Sequence, residues 1–187
     1  LLNNMDIQTT YQQTILYAAA KHQAVKQRLP GTENLPYVIH LSDVAMEILI
    51  ASQHTENFNT KLAVQAALLH DVVEDTKTTL DELRLIYGEE VTEAVSALTK
   101  NDELTTKEEQ MVDSLKRIQS QPKEVWAVKL ADRITNLQKP PSKWTKQRKI
   151  NYHAEAQMIL DALGEGNAYL ASRLATKITE YEFYFKS

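Results

Sequence analysis

The sequence predicts an all-α fold, a compact bundle of about eight to ten helices in one domain spanning residues 1–187. Three observations predict it. Four glycines and five prolines are about half the usual share, so few positions interrupt a helix. Apolar residues make up 43% of the chain and recur at helical spacing almost throughout. Thr, Ser and Asn stand ahead of several of these runs, where helix caps belong.

The elements follow in order. Residues 6–27 form a first helix, with Ile15, Leu16, Ala19 and Val25 on one side. The stretch 29–35 contains Pro30 and Gly31 and reads as a loop. A second helix covers 42–53 and a third 60–73, apolar at Leu62, Ala66, Leu69 and Val73. Thr79 with Glu82 makes a capping box for a short helix to about Tyr87, and Gly88 separates it from the next, which runs to Leu98. Thr105 with Glu108 makes a second capping box. Pro122 suits the first turn of a helix over about 123–138. Within it, Val125–Leu130 is apolar enough for a buried strand, but the helical pattern on both sides favours helix. Pro140–Pro141 is a break, Ser142 caps a long helix to Leu163, and Gly164 suits its C-cap. A last helix runs from Asn167 to about Phe183, and the aromatic end (Tyr181, Phe183, Tyr184, Phe185) packs on the core or against a second copy in a homodimer.

Composition narrows the chemistry. Cysteine is absent, which excludes a disulfide scaffold, a thiolate metal site and a Cys nucleophile, so any metal must be held by His and carboxylates. The net charge of −4 argues against long nucleic acid as a partner. No apolar run approaches the roughly 18 residues of a membrane span, no signal peptide is visible, and a cytoplasmic location is the default expectation.

The densest cluster of ionisable groups lies in ALLHDVVEDT, residues 67–76. On a continuous helix His70 and Glu74 are four residues apart, as are Asp71 and Asp75, so both pairs point off adjacent faces at one end. Three carboxylates packed this closely repel unless a cation relieves them. The bland reading is a solvated helix end with a core histidine; the EDT that follows His-Asp tips the balance toward a site. Asp132 in KLADRITNL lies on an otherwise apolar face with Val125 and Val128, and Asn136 continues that face. A lone Asp there needs a partner, either Arg133 or a ligand. His40 in PYVIH sits where the loop enters the second helix, and alone it reads as a cap or core residue. Together, two imidazoles and two carboxylates suit a divalent ion such as Mn²⁺, Fe²⁺, Zn²⁺ or Mg²⁺. Water on such an ion is a nucleophile near neutral pH. Glu74 and Asp75 are placed to orient or deprotonate it.

The order His40 … His70-Asp71 … Asp132 resembles the metal signature of the HD-domain phosphohydrolase superfamily. The blocks PYVIH, AALLHDVVEDT, LTK (residues 98–100) and KLADRITNL resemble more closely the hydrolase domain of the RelA/SpoT homologue family, above all its small stand-alone alarmone hydrolases, the Mesh1-like group. The similarity spans roughly residues 12–175. HDVVEDT followed by KLADR carries most of it, and the Gly-Tyr-Pro motif of cyclic-di-GMP phosphodiesterases is missing.

The resemblance implies removal of the 3′-pyrophosphate of ppGpp and pppGpp, giving GDP or GTP and pyrophosphate, with Mn²⁺ as cofactor. It makes His40, His70, Asp71 and Asp132 the metal ligands and Glu74 and Asp75 the catalytic pair. It places Asn136 on the nucleotide, and Arg148 and Tyr152 on the substrate through a W-x3-R-x3-Y pattern that begins at Trp144. Lys100 and Lys26 or Arg28 are implied to hold phosphate and base. The residues support part of this directly: Arg148 and Tyr152 are four apart on one helix face, and 139–149 carries five basic residues and no acid. The chain departs from the family where an H-x-x-Q-x-R element is imperfect around residues 22–28, where Leu41 replaces a Pro, and where Thr135 replaces a His. Two other readings compete. One is a different nucleotide phosphohydrolase, such as an adenine alarmone hydrolase or a nucleotide phosphatase; the other is a non-catalytic alarmone sensor.

Overall fold

The helix α3 (Thr60–Leu69) is the axis of the fold: every residue from Leu62 to Leu69 is buried, Ala63, Ala66 and Ala67 completely. A helix that is apolar on all sides must be covered on all sides. Its alanines let α1 (Ile7–Ala24), α2 (Val38–Ser52) and α8 (Lys123–Asn136) approach closely, and α2 and α8 also pack on each other. The computed structural model describes residues 6–32 and 34–186. Between α3 and α8 lie α4 (Val72–Asp75), α5 (Leu80–Tyr87), α6 (Glu89–Leu98) and α7 (Lys107–Gln119); after α8 come α9 (Lys146–Leu163), α10 (Ala168–Tyr181) and the short α11 (Phe183–Lys186). Nine of these helices have eight residues or more among the described residues, and no strand occurs there. Each fully buried Leu or Ile of the core, such as Leu41, Leu69, Leu130 and Ile134, contributes about 1.5–3 kcal/mol.

The all-α expectation holds, and Val125–Leu130 is helix, buried in α8 at Val125, Ala127, Val128 and Leu130. Several boundaries move, each for a local reason. Helix α1 stops at Ala24 instead of 27, because Lys26 takes a left-handed φ of 57°. The Lys26 and Gln27 amides then bond back to the Gln23 and His22 carbonyls at 3.0 and 3.1 Å, the pattern of a Schellman closure. A lysine there costs about 1–2 kcal/mol over an ordinary backbone. Helix α2 starts at Val38 instead of 42, since the His40 amide already bonds the Tyr37 carbonyl at 2.9 Å; His40 thus stands in a helix and not in the entering loop.

The third helix is interrupted where a continuous one was expected. Asp71, at φ −102° and ψ −2°, breaks it between Leu69 and Val72. The caps also shift. The capping box is Thr106–Glu109, one residue later than expected, because Thr106 has the extended backbone that frees its hydroxyl for the Glu109 amide. Thr145, not Ser142, caps α9: a turn from Pro141 to Trp144 delays the helix, and Thr145 accepts the Arg148 amide. Thr79 caps α5 as expected, but Glu82 leaves the box to bind Lys21 and Tyr17 on α1. Gly88, at φ 85°, serves both α5 and α6. Gly164 is right-handed and leads into a 3₁₀ turn over Gly164–Gly166, so the left-handed cap expected there is absent. In that turn a Cβ on Gly166 would lie 2.6 Å from Trp126 Cβ, which fixes how closely α8 and the turn approach.

Candidate metal centre

Three mutually packed helices bring the ligand candidates together. His40 comes from the first turn of α2, His70 and Asp71 from the break after α3, and Asp132 from the last turns of α8. His70 Nε2 lies 2.9 Å from Asp71 Oδ2 and 3.7 Å from Asp132 Oδ1. His40 Nε2 lies 3.4 Å from Asp132 Oδ1, 3.8 Å from Asp71 Oδ2 and 3.4 Å from His70 Nε2. Adjacent donors around one ion with bonds of about 2.1 Å stand about 3 Å apart, close to this spacing.

The second nitrogen of each ring shows what the first can do. His70 Nδ1 is 2.7 Å from the Ala67 carbonyl, which can only accept, so Nδ1 carries the proton. Thr135 donates its hydroxyl proton to the Asp132 carbonyl at 2.9 Å, leaving its oxygen to accept from His40 Nδ1 at 3.4 Å. Both Nε2 lone pairs then face each other beside two carboxylates, an arrangement that needs a cation or a proton between its members. Among the described residues His40, His70 and Asp132 form a group whose ligand atoms all lie within 4.8 Å, and Asp71 closes it. The donor set therefore fits a divalent metal.

Charges respond accordingly. Burial alone would push the His70 imidazole down, but the Asp71 and Asp132 carboxylates hold it well above its ordinary value. Burial likewise disfavours charge on Asp71 and Asp132; His70 holds the first below the carboxylate range, and Lys129 with the two imidazoles holds the second far below it. Asp75 moves the other way, raised by burial and by the neighbouring Asp71 charge.

The remaining site residues divide. Glu74 receives Lys100 Nζ at 2.5 Å and the Lys100 amide at 3.2 Å, and Lys100 feels the Asp71 and Asp132 charges as well. Asn136 donates its side-chain amide to Asp132 Oδ1 at 2.5 Å. Asp132 pairs with Lys129 at 3.4 Å, whereas Arg133 turns away to Glu155 and covers the Tyr152 ring at 4.2 Å. Tyr152 is thus half-buried, its phenol raised to about 12 by burial despite Arg133. Arg148 lies exposed in the first turn of α9, its guanidinium 4.3 Å over Trp144, whose edge meets Tyr152 at 5.1 Å. Arg148 and Tyr152 therefore share Trp144 rather than one open face. Arg28 bonds Gln23 and the Gln27 carbonyl, and Lys26 is exposed at the left-handed turn.

The roles of four residues of this neighbourhood escaped the sequence reading. Tyr37 donates its hydroxyl to Asp71 Oδ2, His22 packs on Tyr37 at 4.8 Å, Gln27 donates to Asp75 Oδ2 at 2.7 Å, and Thr135 orients His40. Tyr37 stood inside the PYVIH block, and His22, Gln27 and Thr135 stood at the departures from the family pattern, so a signal existed for each; the 48 residues between Gln27 and Asp75 hid the contact itself.

The comparisons agree with this geometry. The family model described as HD domain matches residues 15–165. The guanosine-3′,5′-bis(diphosphate) 3′-pyrophosphohydrolase MESH1 of Danio rerio is 33% identical over 168 residues, 87% of this chain and 88% of that one. The Homo sapiens MESH1 is 33% identical over 162 residues, 84% of this chain and 87% of that one. The solved structure of a metazoan SpoT ortholog that hydrolyses ppGpp superposes with a TM-score of 0.79 at 28% identity, covering 91% of this chain and 94% of that one. The chain belongs to the HD-domain family, in the branch that holds the MESH1 proteins.

Proposed function

We propose that this protein is a metal-dependent alarmone 3′-pyrophosphohydrolase, converting ppGpp or pppGpp and water to GDP or GTP and pyrophosphate, with Mn²⁺ as the ion. The observation that carries this reading is the convergence of two imidazoles and two carboxylates beside Glu74 and Asp75, in a chain whose MESH1 relatives bear that activity in their name. Held by His40, His70, Asp71 and Asp132, a divalent cation would lower the pKa of water and polarise a phosphoryl oxygen.

The chain's own residues do the rest. Asp75, with its raised pKa, takes the proton from the attacking water and can return it to the departing ribose 3′ oxygen. The bond that forms joins water oxygen to the phosphorus attached at O3′; the bond that breaks is P–O3′. Glu74, clamped by Lys100, orients the water, and Lys100 presents positive charge to the pyrophosphate. Asn136 steadies Asp132 and faces the nucleotide. Arg148 on the Trp144 plate offers two donors to a phosphate, Tyr152 backs it, and Lys26 or Arg28 meets the base at the far rim.

Product identification tests the reading. Incubation with ppGpp and Mn²⁺ is expected to release one pyrophosphate per GDP formed. Orthophosphate as the only phosphorus product would reject it.

A further inference from the structure

A chain of contacts leaves the site in a direction that the ligand set does not use. Gln27 Nε2 donates to Asp75 Oδ2 at 2.7 Å, while Gln27 Oε1 sits 2.5 Å from Nδ1 of His22. The partners fix the polarity. A carboxylate oxygen can only accept, so the amide must turn its NH₂ toward Asp75 and its carbonyl toward His22; the imidazole must then carry its proton on Nδ1. His22 is 1% exposed, and its Nε2 is buried without a partner, as suits a neutral ring with the proton on the other nitrogen. The backbone is bent to make this link. The left-handed Lys26 folds the chain back under the end of α1, and the Gln27 amide bonds the His22 carbonyl at 3.1 Å, so His22 and Gln27 belong to one closed turn that meets Asp75 on α4.

We propose that Gln27 is a positioning residue for Asp75: anchored by His22, it holds one carboxylate oxygen, Oδ2, and leaves Oδ1 to serve the water at the metal centre. This rests on the functional reading above, in which Asp75 moves the proton. A carboxylate fixed through one oxygen keeps a single rotamer, and misplacing a proton acceptor by an ångström costs turnover rather than affinity.

The test is a kcat-against-KM split with a double-mutant cycle. Gln27→Met keeps the length of the side chain and removes both hydrogen bonds. It is expected to lower kcat with ppGpp and Mn²⁺ about tenfold to thirtyfold and to leave KM and Mn²⁺ affinity within about twofold. In an Asp75→Asn background the same substitution should cost less than about twofold, because the group it positions is gone. His22→Asn, whose amide reaches the place of Nδ1, should stay within about threefold of wild type, while His22→Leu should fall as Gln27→Met does. Gln27 is half-buried, and thermal unfolding of Gln27→Met within a few degrees of wild type shows that folding is intact.

A raised KM with unchanged kcat, or an undiminished loss in the Asp75→Asn background, would overturn the inference while the wild type remains active. A wild type that releases no pyrophosphate from ppGpp overturns the functional reading itself, and is seen before any substitution is made.

Discussion

The ligand cluster and the rim around it are built from different kinds of structure. His40, His70, Asp71 and Asp132 are placed by α2, α3 and α8, which pack on one another through fully buried Ala45, Ile48, Ala66, Leu69, Ala127 and Ala131. The two imidazoles, buried at His40 and His70, are set by that core. The residues assigned to phosphate and base stand on the turn after α1, the end of α6 and the first turn of α9, and Lys26, Lys100 and Arg148 are exposed. The difference matches two tasks: a cation needs donors fixed to tenths of an ångström, whereas a flexible polyanion tolerates long, mobile side chains.

That division can be broken or sharpened by substitution. Asp71→Ala removes a half-buried ligand and the partner of both His70 and Tyr37; hydrolysis is expected to fall by more than about 10³-fold, with cation binding lost and helical circular dichroism retained. Asp75→Asn separates proton transfer from metal binding. It should cost about 10²-fold to 10³-fold in kcat while calorimetry still detects the cation. Thr135→Val leaves all four ligands but removes the acceptor that orients His40, so cation affinity should weaken about tenfold or somewhat more. Arg148→Ala belongs to the rim, and KM should rise roughly fivefold to tenfold with kcat near wild type. A kcat loss there as large as that of Asp75→Asn would erase the distinction between cluster and rim.

The smallest effect is expected outside both regions, at the pairing of α5 with α1. Glu82, held below its ordinary value by Lys21 and then Tyr17, is charged in the folded state over a wider range than in the unfolded one. Its contribution is therefore present above the unfolded carboxyl pKa and lost as pH falls through the folded one. Glu82→Gln should lower Tm at pH 7 by no more than about 2 °C, and the difference should shrink as pH falls through the lowered folded carboxyl range.

The cluster was the legible part because its residues are chemically odd for where they stand. A His and an Asp at the end of an apolar run, and an Asp on the apolar face of KLADRITNL, need a reason that packing does not supply. The helices were legible because Gly88, Pro122 and the proline pair at 140–141 mark real junctions. What could not be read depended on contacts between distant positions. Glu82 was spaced to close a capping box, yet Lys21 and Tyr17 offered it better partners across the bundle. Tyr152 was four residues from Arg148, yet the buried Arg133 claimed its ring. Gln27 meets Asp75, 48 residues further on, beside a left-handed Lys26 that sequence spacing does not reveal.

The claim beneath all of this is that the four donors form one divalent-cation centre on which hydrolysis depends. Protein stripped with a chelator and titrated with Mn²⁺ while pyrophosphate release from ppGpp is followed tests it most directly. Activity should be absent in the stripped protein and return with the filling of one site per chain, and Asp71→Ala should show neither the binding nor the recovery. Undiminished activity in the stripped protein, or equal Mn²⁺ binding by Asp71→Ala, would contradict it.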